Sequence, residues 1–249
     1  MTRAIEVFNR YERKFLVDEC TARRIQEQLA EFMEPDAHSG ERGFTTISSL
    51  YYDTADSLLI RRSLARPVYK EKLRLRAYGV PGPRDRVFLE LKKKFRGRVN
   101  KRRTALRLSQ ACDFIASGRK PEIKGAMNRQ VIDEIEYFLL VHDVEPRLYV
   151  AYDRRAYFSR TNPGLRVTFD ANIRTRRHDL ALELGDEGEP LLEPGRRVME
   201  IKTPRTFPLW LTWILSENRA YGSSFSKYGK EYLDMLANRR QGVQEALHA

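Results

Sequence analysis

Apolar and polar residues alternate with a period of two in run after run of this chain, which places successive side chains on opposite faces of a β-strand. In V-M-E-I-K, Glu200 and Lys202 share one face while Met199 and Ile201 share the other. K-L-R-L-R sets Lys72, Arg74 and Arg76 against Leu73 and Leu75, and F-L-E-L-K sets Glu90 and Lys92 against Leu89 and Leu91. The same reading predicts eight strands, over residues 5–17, 45–53, 68–78, 86–96, 98–108, 147–159, 165–176 and 198–202. Gly79-Val80-Pro81-Gly82-Pro83, Gly97 and Asn162-Pro163-Gly164 are turn signals between neighbouring runs, so most connections are hairpins.

Helical spacing appears between the strands. Asp18 stands at an N-cap position before Ala22, Ile25, Leu29 and Phe32, a helix ended by Pro35. A short helical turn carries Leu58, Leu59 and Ile60, and further helices are expected over 109–117, 126–140 and 208–218. A last helix carries Tyr232, Met235 and Leu236. The segment Phe207–Leu215 is too short to cross a bilayer and reads as a buried helix.

One of the two strand faces is charged throughout, with Glu12 and Lys14, Lys101 and Arg103, Arg154, and Arg166 adding to the positions above. Amphipathic helices claim the apolar faces, which leaves the charged ones to look at each other. Eight antiparallel strands are the number at which a barrel encloses room for side chains or one small ligand. The predicted fold is therefore α+β, a closed eight-stranded antiparallel β-barrel with helices packed outside. One domain is expected over residues 1–249, with a core of about 5–240, because no linker, repeat or low-complexity tract divides the chain.

A formal charge of +12 over 249 residues and a pI near 9.8 select anionic partners. Cys20 and Cys112 stand apart and His38, His142, His178 and His248 are scattered, so zinc-ligand spacing is missing and a reducing, cytoplasmic setting is expected. Neither a secretory signal nor an apolar run of bilayer length is seen, so no transmembrane segment is predicted and the chain is expected to be soluble.

Crowded cations on an inner face require anions. Arg supplies forked donors and Lys point charges, so Arg74, Arg76, Arg154 and Arg166 with Lys14, Lys92 and Lys202 suit a chain of phosphates. The carboxylates Glu12, Glu90 and Glu200 on those faces point to a divalent metal, Mg²⁺ or Mn²⁺, shared with phosphate oxygens. Two other readings stand beside this one. The alternating charges could be ion pairs on the outside of an ordinary sheet, and the basic run 92–103 could serve nucleic acid, although nucleic acid is not the expected partner.

In order along the chain, R-Y-E-R-K-F, S-L-Y-Y-D-T, K-L-R-L-R-A-Y, F-L-E-L-K-K-K, N-K-R-R, Y-D-R-R-A-Y, L-R-V-T-F-D, M-E-I-K and F-S-K-Y-G-K resemble the VTC-type polyphosphate polymerase domain. That domain belongs to the triphosphate tunnel metalloenzyme (CYTH-like) superfamily, and the resemblance runs from about residue 8 to 235. It implies a tunnel that binds ATP or another nucleoside triphosphate and inorganic polyphosphate with Mn²⁺ or Mg²⁺, and transfers the ATP γ-phosphate to a growing phosphate chain. It further implies that Lys14, Arg74, Arg76, Lys92, Arg154 and Arg166 are phosphate ligands and that Glu200 is the chief metal ligand. By the same resemblance Ser226 and Lys227 meet phosphate near the tunnel mouth, with Lys202 and Lys230 beside them; Lys101 and Arg103 join the wall by parity. Where the adenylate cyclase and thiamine triphosphatase branch opens with Glu-x-Glu-x-Lys, this chain has Arg10, Glu12 and Lys14, which favours the VTC branch. The alternatives are a triphosphatase on the same fold, or a module that holds polyphosphate or nucleic acid without turning it over.

Overall fold

Charges that repel cannot share a sheet face unless the opposite face is held by a core, and two of the three apolar clusters do this work. The computed structural model describes residues 11–37, 40, 43–96 and 98–248, with side chains as far as residue 241. Residues 5–10 of the first predicted strand, Arg10 and the Gly97 turn lie outside the described residues. The chain runs β1 (Tyr11–Asp18), α1 (Glu19–Leu29), β2 (Met33–Pro35), β3 (Thr45–Asp53), α2 (Leu58–Leu64), β4 (Tyr69–Tyr78), β5 (Arg86–Phe95) and β6 (Arg98–Arg107). It continues through α3 (Leu108–Ser117), α4 (Ala126–Val141), β7 (Glu145–Ser159), β8 (Arg166–Arg176), β9 (Glu189–Pro190), β10 (Arg196–Thr203), α5 (Leu209–Glu217), β11 (Gly222–Ser223) and α6 (Lys227–His248).

All eight predicted strands are present as the long ones. Three short pieces, β2, β9 and β11, bring the described sheet to eleven strands, antiparallel throughout. Hydrogen bonding follows the order β11-β1-β10-β8-β7-β3-β4-β5-β6, with β2 on β7 and β9 on β8. Closure of this sheet into a barrel is not seen among the described residues, where the ladder has two ends, β6 and β11. The sheet nonetheless curls. Lys92 on β5 is the charge that acts most strongly on Glu12 of β1, although six ladder steps separate their strands.

On the convex side, α3 and α4 bury Phe114, Ile135 and Phe138 against Leu73, Leu75, Leu89 and Leu91 of β4 and β5. Helices α1 and α5 bury Ile25, Leu29 and Leu211 against Phe15, Val167, Phe169, Met199 and Ile201 of β1, β8 and β10. Each such side chain contributes about 1.5–3 kcal/mol through removal from water. Asp18 caps α1 as predicted, accepting from Thr21 N at 2.7 Å. That helix stops at Leu29 rather than reaching Phe32, because Met33–Pro35 pairs with β7 instead. α5 is half-buried rather than buried: Trp210 stacks on Phe32 at 4.4 Å, while Leu209 and Trp213 are exposed.

The third cluster lies on the concave side, which the alternation pattern had reserved for charge. Ile47, Leu148, Val150, Tyr152 and Val198 share that face and pack against Ile60 of α2 and Tyr228 and Tyr232 of α6. A bulge in β8 admits this cluster. Between the pairs Asp153–Ala171 and Ala151–Arg174, β8 carries one residue more than β7, and Asn172 takes up the turn at φ 48°. The parity of β8 is thereby switched, and Ile173 joins the concave cluster.

Asp53, at 0% exposure, fastens α2 and α6 to the end of β3. It accepts from the backbone N–H groups of Thr54, Leu59 and Ile60 at 2.8–2.9 Å and from the Tyr228 hydroxyl at 2.9 Å. Ser57 at the N-cap position of α2 makes no side-chain cap, so Asp53 takes that role from four residues upstream. Replacing Asp53 by Ala leaves several buried donors unpaired, and urea unfolding is expected to register a loss of about 3 kcal/mol or more, with Asp53→Asn losing less.

Candidate functional site

Residues directly opposite in neighbouring strands share a face, so the registers fix which side chains line the concave side. Glu12 pairs with Lys202 and Lys14 with Glu200; Lys202 pairs with Arg166, and Glu200 with Thr168. Arg154 pairs with Asp170 across β7 and β8. Tyr51 pairs with Arg74 and Ser49 with Arg76; Arg74 pairs with Glu90, Lys72 with Lys92, Glu90 with Arg103 and Lys92 with Lys101. One row of charge therefore runs across seven of the eight long strands, with Ser49 and Tyr51 of β3 between them, and because Glu90 and Asp170 within it are 1% exposed, reading the charges as ion pairs on the outside of an ordinary sheet does not hold.

Two buried carboxylates organise the cations. Glu90, 1% exposed, accepts from Arg74 Nε at 2.7 Å and is ion-paired with Arg74 Nη2 at 2.6 Å and Lys101 Nζ at 2.5 Å, with Arg76 Nη1 at 4.0 Å. Burial raises a carboxyl pKa, but here Arg74, Arg76 and Lys101 outweigh it and hold Glu90 well below the usual range. Asp170, also 1% exposed, takes a two-pronged grip from Arg154 Nε and Nη2 at 2.6 and 2.8 Å and accepts from Lys227 Nζ at 2.5 Å. Against burial, Arg154 and Lys227 likewise hold Asp170 well below the usual range. Tyr152 joins the two groups: its hydroxyl accepts from Arg76 at 3.3 Å, and Lys227 lies 4.1 Å over its ring.

Glu12 and Glu200 form a second carboxylate group on β1 and β10. Glu200 pairs with Lys202 and lies 3.8 Å from Lys14, which is itself 3.3 Å from Glu12. Burial raises Glu200, yet Lys202, Lys14 and Arg154 bring it down to about 2. Glu12 is also lowered, against burial and the neighbouring Glu200, by Lys92, Lys14 and Lys202. Thr168 Oγ1, directly across from Glu200, is buried with no hydrogen-bond partner. Two adjacent carboxylates and a free hydroxyl are hard oxygen donors of the kind Mg²⁺ and Mn²⁺ take, so the donor set fits such a metal. Among the described residues no group of three or more His, Cys, Asp or Glu side chains converges. Such an ion would complete its shell with phosphate and water oxygens, and Glu90 lies apart in its own cage of cations.

The start of α6 closes one side of the site. Ser226 caps the helix, accepting from Gly229 N at 3.2 Å, and its hydroxyl also takes a bond from Lys72 Nζ at 3.3 Å. Lys14 Nζ donates to Phe225 O at 3.0 Å. Lys14, Arg74, Arg76, Lys92, Lys101, Arg154, Lys202, Ser226 and Lys227 are thus drawn together on the concave face. Arg166 lies on the same face at one end, its Nε buried without a partner and its guanidinium 4.8 Å from the Phe158 ring. Arg103 shares the face but is exposed above the Phe88 ring at 4.4 Å. Lys230 is 41% exposed and pairs with Asp234 on its own helix, away from the group.

Four residues outside the predicted set belong here: Asp170, Thr168, Lys72 and Tyr51. Strand parity places the first three with the predicted cations. Tyr51 could not be found that way, since only its register opposite Arg74 reveals it; Arg74 Nη1 donates to its hydroxyl at 3.1 Å. Burial would raise the Tyr51 phenol, but Arg74, Arg76 and Lys72 lower it to about 7. Lys72 falls to about 8 through burial and the neighbouring Lys70, Lys92 and Lys14, against the pull of Tyr51.

The chain matches the VTC domain family over residues 9–236. It is 29% identical over 241 residues to vacuolar transporter chaperone complex subunit 4 of Trypanosoma brucei brucei, covering 81% of this chain and 30% of that protein. It is 26% identical over 165 residues to the protein of the same name from Trypanosoma cruzi, covering 55% and 20%. This chain therefore spans less than a third of the length of either relative. A solved Bacillus halodurans structure described as a candidate adenylate cyclase superposes with TM-score 0.51 at 16% identity, covering 89% of this chain and 94% of that one, a likeness of fold. Among the described residues no helix is long and apolar enough to cross a membrane. With the family match spanning nearly all of the chain, the chain belongs to the VTC domain family.

Proposed function

We propose that the protein is a polyphosphate polymerase that transfers the γ-phosphate of ATP to the end of an inorganic polyphosphate chain bound along the concave face. The observation that carries this reading is the row of cations on seven of the eight long strands, in excess of the carboxylates that hold them, next to the Glu12–Glu200 pair. In the transfer, the bond from the γ-phosphorus to the oxygen bridging to the β-phosphate breaks, and a terminal oxygen of the acceptor chain bonds to that phosphorus. ADP leaves with the bridging electron pair. No covalent intermediate on the protein is needed, and catalysis consists of alignment and charge neutralisation.

Arg74, Arg76, Lys92 and Lys101 neutralise one side of the phosphates while Arg154, Arg166, Lys14 and Lys227 neutralise the other, in this reading. Glu90 and Asp170 keep Arg74 and Arg154 pointed inward by accepting their Nε–H groups. Glu200 and Glu12 would hold a Mg²⁺ or Mn²⁺ ion, which supplies further neutralisation of charge on the transferring phosphoryl group. Closure of the seam between β6 and the β1–β11 edge into a full tunnel also belongs to this reading. So does a cytoplasmic setting, where ATP is supplied and the free, exposed Cys20 and Cys112 stay reduced.

Incubation with ATP and Mn²⁺, followed by separate measurement of long-chain polyphosphate and free phosphate, tests the assignment. Polyphosphate is the expected product. Free phosphate alone would make the protein a triphosphatase, and neither product would make it a binding module.

Glu200→Ala is expected to lower metal-dependent turnover at least 100-fold while leaving metal-free tripolyphosphate binding within a few-fold of wild type; retained turnover would remove Glu200 from the metal site. Arg74→Ala should weaken tripolyphosphate binding at least tenfold, and Arg74→Lys, which keeps the charge but loses the fork, should lie between. Titration at several pH values gives a third check. Lys72 in the free protein loses its proton near 8, whereas a bound polyanion favours the charged form. Ionisation of Tyr51 near 7 adds negative charge in the same direction. Affinity is therefore expected to fall as pH rises from about 7 to 9, and Lys72→Arg, charged throughout, should flatten the profile.

A further inference from the structure

Like charges placed directly opposite in a sheet destabilise it, and β4 and β5 carry two such rungs in succession. Lys72 faces Lys92, and one rung further out Lys70 faces Lys94. Exposure increases along this line: Arg76 and Glu90 are buried, Lys72, Lys92 and Lys70 are intermediate, and Lys94 and Arg66 are exposed. Lys70 Nζ donates to Ser63 O at 2.9 Å, and burial together with the nearby Lys94 and Arg66 lowers its pKa. Among the described residues neither Lys94 nor Arg66 is ion-paired to a carboxylate. Inside the site, by contrast, Glu90 and Asp170 are spent on holding cations.

The rest of this end of the concave face is closed by apolar packing of α6 against Leu148, Val150 and Val198. Among the described residues, the β4–β5 rungs continue the charge outward. From this we propose that Arg66, Lys70 and Lys94 form an outer anion track, contiguous with Lys72 and Lys92, that holds the part of a linear phosphate chain too long for the inner site. The track extends the site by one strand rung, about 6.6 Å, plus the reach of the Arg66 side chain. This inference rests on the polyphosphate reading above and specifies the ligand as a chain longer than triphosphate. A single-stranded nucleic acid fits the track less well, because base stacking needs aromatic platforms. The nearby exposed aromatics, Tyr69 and Phe95, form a cross-strand pair on the opposite face.

Binding of two probes, tripolyphosphate and long-chain polyphosphate, to the full chain tests the track. In the triple variant Arg66→Asn, Lys70→Gln, Lys94→Gln, affinity for the long chain should drop at least tenfold, and its dependence on salt should become shallower. Tripolyphosphate affinity should stay within twofold. Lys94→Glu alone, at an exposed position, should show the same selective loss in smaller degree and guards against misfolding of the triple variant. Equal weakening of both probes by Lys94→Glu, or no weakening of the long chain, would overturn the track while leaving the inner site in place. Failure of the wild type to bind tripolyphosphate would instead overturn the polyphosphate reading, and the track with it. An RNA oligonucleotide that binds as tightly as polyphosphate, with the same sensitivity to the triple variant, would reassign the track to nucleic acid.

Discussion

Mutual repulsion among cations on the concave face is the constraint to which the rest of this structure answers. Lys14, Lys72, Arg74, Arg76, Lys92, Lys101, Arg154 and Lys227 are crowded onto one curled surface with only a few carboxylates among them. Two charges a few ångströms apart near a protein surface interact by several kcal/mol, so such a face persists only if other parts of the fold hold it in place. The convex clusters under α1, α3, α4 and α5 provide that hold, since the same strands that present cations inward bury Leu, Val, Phe and Ile outward. Core and site are therefore two faces of the same strands. Stability is drawn from one and used to keep the other poised for an anion.

The carboxylates on this face divide by surroundings, although three of them are the same residue type. Glu90 sits at the centre of Arg74, Arg76 and Lys101, and both its oxygens are ion-paired with these cations. Asp170 is likewise engaged by Arg154 and Lys227. Glu200 and Glu12 are paired only with flexible lysines, and the buried Thr168 hydroxyl beside Glu200 lacks a partner. A lysine ammonium can swing away when a divalent cation arrives more readily than a forked guanidinium can release two bonds. Under the proposed function, donor chemistry and release both favour the β1–β10 pair as the metal end, with Glu90 and Asp170 as holders of Arg74 and Arg154.

Much of this was legible in the sequence because β parity is a strict rule and each long strand obeys it at the site. Phe15 and Leu73 turn outward while Lys14 and Arg74 turn inward, as alternation requires. What alternation could not show was which part of the inner face stays polar. Along β10 that face passes from Val198 to Glu200 to Lys202, and along β7 from Leu148 and Val150 through Tyr152 to Arg154. The apolar ends were invisible as a group because their cover, α6, comes from the far end of the chain. The bulge at Asn172 was hidden for a related reason: a one-residue parity shift inside a hydrophobic strand leaves composition unchanged. Closure into a ring was also beyond the pattern, since pairing between the outermost strands depends on edges rather than faces.

Helix α6 connects these observations. Tyr228 and Tyr232 pack into the concave cluster, Tyr228 is tied to Asp53 at the end of β3, and Arg177 holds Glu231 with a two-pronged bond at 2.6 and 2.7 Å. Anchored in this way, the helix presents its first residues to the charged half of the same face. Ser226 meets Lys72, and Lys227 reaches Asp170. The N-terminal end of a helix carries a partial positive charge and unpaired N–H groups, so its approach adds to the cationic field. An apolar anchor at one end of the concave face is thus what brings a positive helix terminus against the other, and the two halves of that face depend on the same helix.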